Sequence, residues 1–266
     1  MHKNFLFWSF VSVLVFVMIT LGGYVHNSGA SLACPDWPLC YGQAFPKMEG
    51  LILIEHSHRL LGTLIGFFIL IKFFYERTKY HLFLLIFVIL QGVFGGITVL
   101  LKLSTLFSTL HLLCSILFFF SVFSQIPFDI KKTIAPKKIF QYLFFLVFFQ
   151  IIYGALVRHL GLGLACGGGF NRYLFFCEYF EEPLKSSLHV IHRLFGFFLF
   201  FLFLFTSLKN RKLPLFFHIP FFLVIFQVAL GIMTVGTFIN PIWTTLHLTF
   251  ALLILISLFL CYKKSL

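Results

Sequence analysis

The sequence predicts an all-α membrane protein with eight transmembrane helices, arranged as two duplicated four-helix bundles. Three observations carry this. Hydrophobic residues make up 60% of the 266-residue chain and charged residues 11%, with a mean hydropathy of +1.02; a water-soluble domain carries about 25% charged residues. Eight apolar stretches are each long enough to cross roughly 30 Å of hydrocarbon. A block of residues also recurs half a chain later. His58-Arg59-Leu60-Leu61-Gly62 returns as His192-Arg193-Leu194-Phe195-Gly196 at an offset of 134 residues. Gln91-Gly92-Val93-Phe94-Gly95 returns as Gln227-Val228-Ala229-Leu230-Gly231, and Leu110-His111-Leu112 as Leu246-His247-Leu248, both at an offset of 136. Gly22-Gly23-Tyr24-Val25 and Ala33-Cys34 reappear as Gly154-Ala155-Leu156-Val157 and Ala165-Cys166 at an offset of 132. The halves are residues 1–130 and 131–266.

The spans follow in order. The first, 5–25, has only Lys3 as a basic flank and no sharp small-residue cleavage site, and it belongs to the repeat; it reads as a retained helix rather than a signal peptide. Spans at 57–75 and 81–101 follow, with Lys72, Arg77 and Lys79 assigned to the turn between helices 2 and 3. A fourth at 105–126 is followed by Lys131, Lys132, Lys137 and Lys138 and a fifth at 139–158. Spans at 187–208, 214–236 and 242–262 complete the set, with Lys209, Arg211 and Lys212 between the sixth and seventh, and Lys263 and Lys264 at the end. Thirteen basic residues thus fall on one side, against Lys47, Lys102, Arg158, Arg172 and Lys185 on the other. Lys and Arg accumulate in cytoplasmic loops, so both termini are expected in the cytoplasm. The net charge of +12 orients the chain and does not imply nucleic acid. The 42 phenylalanines face lipid or fill the bundles and name no ligand.

This topology places two long loops, 26–56 and 159–186, on the outer side. They carry Cys34 and Cys40 in Cys-Pro-Asp-Trp-Pro-Leu-Cys, and Cys166 and Cys177 around three glycines. An oxidising compartment favours disulfides. A zinc site, the weaker alternative, normally uses closer spacing. The wider gap between Cys166 and Cys177 constrains that second pair less. Cys114 and Cys261 read as packing residues.

His58, His111, His192 and His247 are expected within the first two turns of helices 2, 4, 6 and 8, all at one depth. A lone histidine in a membrane helix is most simply a hydrogen-bonded core residue. Four at equal depth, paired by duplication, point to ligation of haem iron or another metal, because ionisable groups in a bilayer are costly and a histidine on each of two facing helices grips haem from both sides. Gly22, Gly23, Gly95, Gly96, Gly154, Gly231 and Gly236 lie at the same depth; they permit close helix approach or leave room for a flat macrocycle, and both readings stand. Arg59 and Arg193 each follow a ligand histidine and are candidate propionate contacts, with snorkelling to lipid phosphate as the alternative. Glu55 lies three residues before His58, on one helical face with it. The matching residue in the second half is His189. Glu55 is therefore the candidate catalytic group, or else an interfacial carboxylate bonded to a loop. His2, His26, His56, His81, His159 and His218 read as interfacial.

Glu55-His56-Ser57-His58-Arg59, Cys34-Pro35-Asp36-Trp37-Pro38-Leu39-Cys40, the eight-helix duplication and the paired histidines together resemble haem A synthase of the bacterial, cysteine-containing type. The resemblance covers nearly the whole chain. It implies an enzyme of the bacterial inner membrane that oxidises a methyl group of haem O to the formyl group of haem A for cytochrome oxidase assembly. It further implies that His58, His111 and Glu55 form the substrate site in the N-terminal half, and that His192 and His247 hold a fixed haem b in the C-terminal half. Haem O synthase is the implied supplier of substrate and membrane lipid the surroundings; neither the electron acceptor nor self-association as a homo-oligomer is specified. The competing reading is a non-catalytic di-haem membrane cytochrome for electron transfer or haem carriage, which would not need an acid in one half alone. A prenyltransferase is disfavoured because no Asp-rich diphosphate motif is present.

Overall fold

The computed structural model of the chain describes residues 2–170, 177 and 183–266. Among these, eight long helices follow one another: α1 (His2–Asn27), α2 (Gly50–Glu76), α3 (Lys79–Leu100), α4 (Thr105–Phe123), α5 (Lys137–His159), α6 (Pro183–Lys209), α7 (Ile219–Gly236) and α8 (Pro241–Lys264). Each includes a stretch long and apolar enough to cross a membrane, as expected. The protein is an all-α, multi-pass membrane protein.

Two helices begin earlier than hydropathy suggests. α2 starts at Gly50 and α6 at Pro183, against expected starts of 57 and 187. Hydropathy fades across Glu55-His56-Ser57-His58-Arg59, but a helix continues through polar residues whose side chains find partners. The earlier starts place His58 and His192 in the third turn of their helices, while His111 and His247 lie in the second. Lys72 also departs from expectation: it lies inside α2, not in the loop after it, and is 7% exposed. Its ammonium donates to Asn4 Oδ1 at 2.9 Å, pairs with Glu76 and lies 5.1 Å from the Phe7 ring centre. A buried cation persists only with such partners. His81, the third residue of α3, is buried and stacks on Trp8 at 5.6 Å.

The chain forms two compact units, Met1–Phe128 and Asp129–Leu266. Unit 1 holds α1–α4 and unit 2 holds α5–α8. In unit 1 the substantial helix contacts are α1 with α2, α2 with α3, α3 with α4, and α4 back to α1. The four helices close a ring in which α2 and α4 stand diagonally opposite. Unit 2 closes the same way, with α6 and α8 diagonal. Val11, Ile69, Leu84, Ile116 and Phe119 are fully buried in the first ring; Leu252, Leu255 and Leu258 are fully buried in the second. Phe67, Phe74, Phe145 and Phe201 point outward, where hydrocarbon is the matching solvent.

Candidate functional site

The diagonal helices carry the four predicted histidines. His58 (α2) and His111 (α4) lie within electrostatic range of each other in unit 1, as do His192 (α6) and His247 (α8) in unit 2. Each ring lies edge-on against a glycine of the neighbouring helix. A Cβ on Gly22 would lie 2.8 Å from His58 Cε1, and one on Gly95 3.4 Å from His111 Cε1. The same construction gives 2.6 Å from Gly154 to His192 and 3.0 Å from Gly231 to His247. These glycines accommodate the imidazoles themselves. Gly96 and Gly236 instead receive aromatic rings from the loop side, Trp37 and Phe170.

The hydrogen bonds around His247 suit a metal ligand. Its Nδ1 faces the Gln227 carbonyl at 3.2 Å. A ring that donates Nδ1–H there keeps its lone pair on Nε2, which faces the Gln227 amide nitrogen at 3.4 Å. Gln150 Nε2 donates to the His192 carbonyl at 2.8 Å, and Tyr153 stacks on the His192 ring at 6.2 Å. A diagonal imidazole pair in an apolar four-helix ring is a donor set that fits haem iron. Gly154→Ala is expected to displace the His192 ring and lower the haem content of purified protein severalfold. Gly66→Ala, which meets nothing within 4 Å, should leave it unchanged; pyridine haemochrome spectra of both variants check this.

The polar residues of unit 1 build a clamp on the preceding loop. Glu55 is buried, 3% exposed, inside α2. Its Oε2 accepts the Cys34 N–H at 2.7 Å and its Oε1 pairs with Arg59. Arg59 also donates to the carbonyls of Asp36 at 2.7 Å, Leu39 at 2.5 Å and Cys34 at 3.1 Å. The guanidinium expected to meet a propionate therefore holds the loop. Asp36 accepts the N–H groups of Gly42 at 2.8 Å and Tyr41 at 2.7 Å, which hold its carboxyl below the usual carboxylate range. The loop end of unit 1 is thus fixed to the helix that carries His58. In unit 2 the corresponding helical pair is Arg193 and His189, Nε donating to Nε2 at 3.1 Å.

Cys34 and Cys40 form a disulfide with Cα atoms 4.7 Å apart, both fully buried. The His56 ring lies close to both sulfurs, with its Nε2 on the Ala44 carbonyl at 2.9 Å. It is buried near the loop-side end of α2, and the two sulfurs are bonded to each other, which leaves no thiolate for a zinc ion. Cys166 and Cys177 are also bonded, with Cα atoms 4.2 Å apart. In protein taken from aerobic membranes, alkylation of Cys34 and Cys40 is expected only after reduction; labelling of both beforehand would contradict the pairing.

Sequence comparison supplies the family. Residues 5–51 and 47–259 match the COX15-CtaA family, described as cytochrome oxidase assembly protein. The chain belongs to this family. It is 26% identical over 255 residues to a protein named Heme A synthase from an Exiguobacterium species, covering 87% of this chain and 83% of that one. A Staphylococcus aureus protein of the same name is also 26% identical over 278 residues, covering 93% of this chain and 91% of its own. As a family member the chain presents one acidic unit and one without an acid at the matching position. Sequence reasoning gave no role to Trp37, Gln91, Gln227 or Ser115, although both glutamines stand inside the repeat.

Proposed function

We propose that the chain is a haem A synthase that oxidises the methyl group of haem O to a formyl group, supplying haem A for cytochrome oxidase. The observation that carries this is the diagonal histidine pair in each unit combined with Glu55, the one fully buried carboxyl among the described residues, one turn from His58 in unit 1. Membership of the cytochrome oxidase assembly family supports synthesis over passive electron transfer. His58 and His111 position the substrate haem. His192 and His247 hold haem b, which supplies reversible one-electron transfer when bound. Both termini lie in the cytoplasm, so the Cys34–Cys40 loop faces the outer, oxidising side.

Taking a methyl to a formyl group with the oxygen drawn from water releases four protons and four electrons (R–CH3 + H2O → R–CHO + 4 H+ + 4 e–), and the electrons leave to an acceptor outside the chain. Positive charge develops at the carbon as it is oxidised. Glu55, held in place by Arg59 and the Cys34 N–H, is the carboxyl positioned to oppose that charge without reorganisation. The disulfide-closed loop covers Glu55, which is 3% exposed. Haem O synthase is the expected supplier of substrate. The test is the haem profile of a bacterial host that makes haem O but no haem A. Expression of this chain should add haem A; an unchanged profile with the protein present in the membrane would overturn the reading.

A further inference from the structure

Gln91 and Ser115 form a buried polar pair in unit 1 with no part in the chemistry above. Gln91 lies one turn before Gly95 on α3 and is 9% exposed; Ser115 lies one turn after His111 on α4. Because Gly95 meets the His111 ring, the pair sits on the same helix–helix seam, one turn further from the loop end. The Ser115 hydroxyl lies 2.8 Å from Gln91 Oε1 and 2.7 Å from the His111 carbonyl. Its single hydrogen serves one acceptor at a time. With Oε1 engaged, Gln91 Nε2 is buried with no hydrogen-bond partner among the described residues. With the hydrogen on the His111 carbonyl, the amide turns over to donate to Ser115 and its oxygen is left instead. Either way one polar end of the amide remains for a ligand.

Unit 2 lacks the orienting serine, although its Gln227 Oε1 is also buried with no hydrogen-bond partner among the described residues. The repeat puts Gln227 and Ala251 at the matching places, each 136 residues on. Ala251 has no hydroxyl, and the Gln227 amide turns to His247, Nε2 to Nε2 at 3.4 Å.

We infer that Gln91, oriented by Ser115, selects the hydroxyl-bearing side chain of the substrate haem, an assignment that rests on the haem A synthase reading. Haem O differs from haem B in carrying a hydroxylated isoprenoid chain in place of one vinyl group, on the ring edge opposite the propionates. Charged propionates are assigned to the loop end, beside Arg59 next to His58, because Lys72, at the far end of α2, is already paired with Glu76. The opposite edge then points along α3 and α4 toward Gln91. A hydroxyl both donates and accepts, so it satisfies whichever end of the amide is presented. A vinyl group satisfies neither, and a buried polar group left unpaired discriminates strongly.

The test uses full-length protein retaining its unit 2 haem, titrated with haem O and with haem B while Soret spectra report binding in unit 1. Wild type is expected to prefer haem O about tenfold. Gln91→Met should bring the ratio close to one without weakening haem B, and Ser115→Ala, which releases the amide, should lower it severalfold. The retained unit 2 spectrum reports folding of each variant, and Ser115→Ala carries the test by itself if Gln91→Met loses that spectrum. Conversion of haem O by wild type, together with an unchanged binding ratio in the folded variants, overturns the Gln91 assignment alone. Failure of wild type to convert haem O overturns the functional reading and this inference with it.

Discussion

Glu55→Gln is expected to cut conversion of haem O to haem A roughly a hundredfold, the loss of on the order of 3 kcal/mol of charge stabilisation. The C-terminal haem b spectrum should persist. Glutamine keeps an acceptor for the Cys34 N–H but removes the charge facing Arg59, so two consequences need separating. Loss of the opposing charge lowers turnover at saturating haem O, whereas a loosened loop weakens retention of haem O at unchanged turnover. The expected result is a fall in turnover, with haem O or a hydroxylated intermediate accumulating on the protein. Glu55→Asp keeps the charge about one methylene out of place and should retain part of the activity. His189→Glu should not make unit 2 reactive. Wild-type turnover in Glu55→Gln would leave Glu55 as a loop anchor only.

His192→Ala and His247→Ala are each expected to abolish low-spin haem b in unit 2, leaving at most a weak five-coordinate species. If His192 and His247 hold the haem as proposed, each substitution would remove one of its two imidazole donors from an otherwise apolar ring. Synthase activity is expected to fall with it if haem b has the one-electron role proposed for it. His58→Ala and His111→Ala should instead spare the haem b spectrum and impair only haem O binding and conversion. Low-spin spectra unchanged in both unit 2 variants would remove the ligand assignment.

Much of this was legible in the residues. Eight spans, the half-chain repeat and four matched histidines follow from hydropathy and from identical strings such as His-Arg-Leu. The starts of α2 and α6 were not, because a hydropathy window falls off at Glu55-His56-Ser57-His58-Arg59 while the helix runs on, its polar groups satisfied by Cys34, Ala44 and Asp36. Those partners stand between 12 and 23 residues away, and no local pattern announces them. The two readings of the glycines separated only when the rings they face were known: Gly22, Gly95, Gly154 and Gly231 hold imidazoles. The Gln91–Ser115 pair had a faint signal, serine at 115 against alanine at 251, but its meaning required α3 and α4 to be seen face to face.

The central claim is that unit 1 holds a haem that is changed and unit 2 a haem that is not. The haem extracted from purified wild-type protein tests it most directly, by mass and by stoichiometry against protein. One haem b per chain, together with a second haem that is haem O, haem A or an intermediate between them, is the predicted result. Two haem b per chain, neither altered when haem O is supplied, would contradict it and make the protein a di-haem electron carrier.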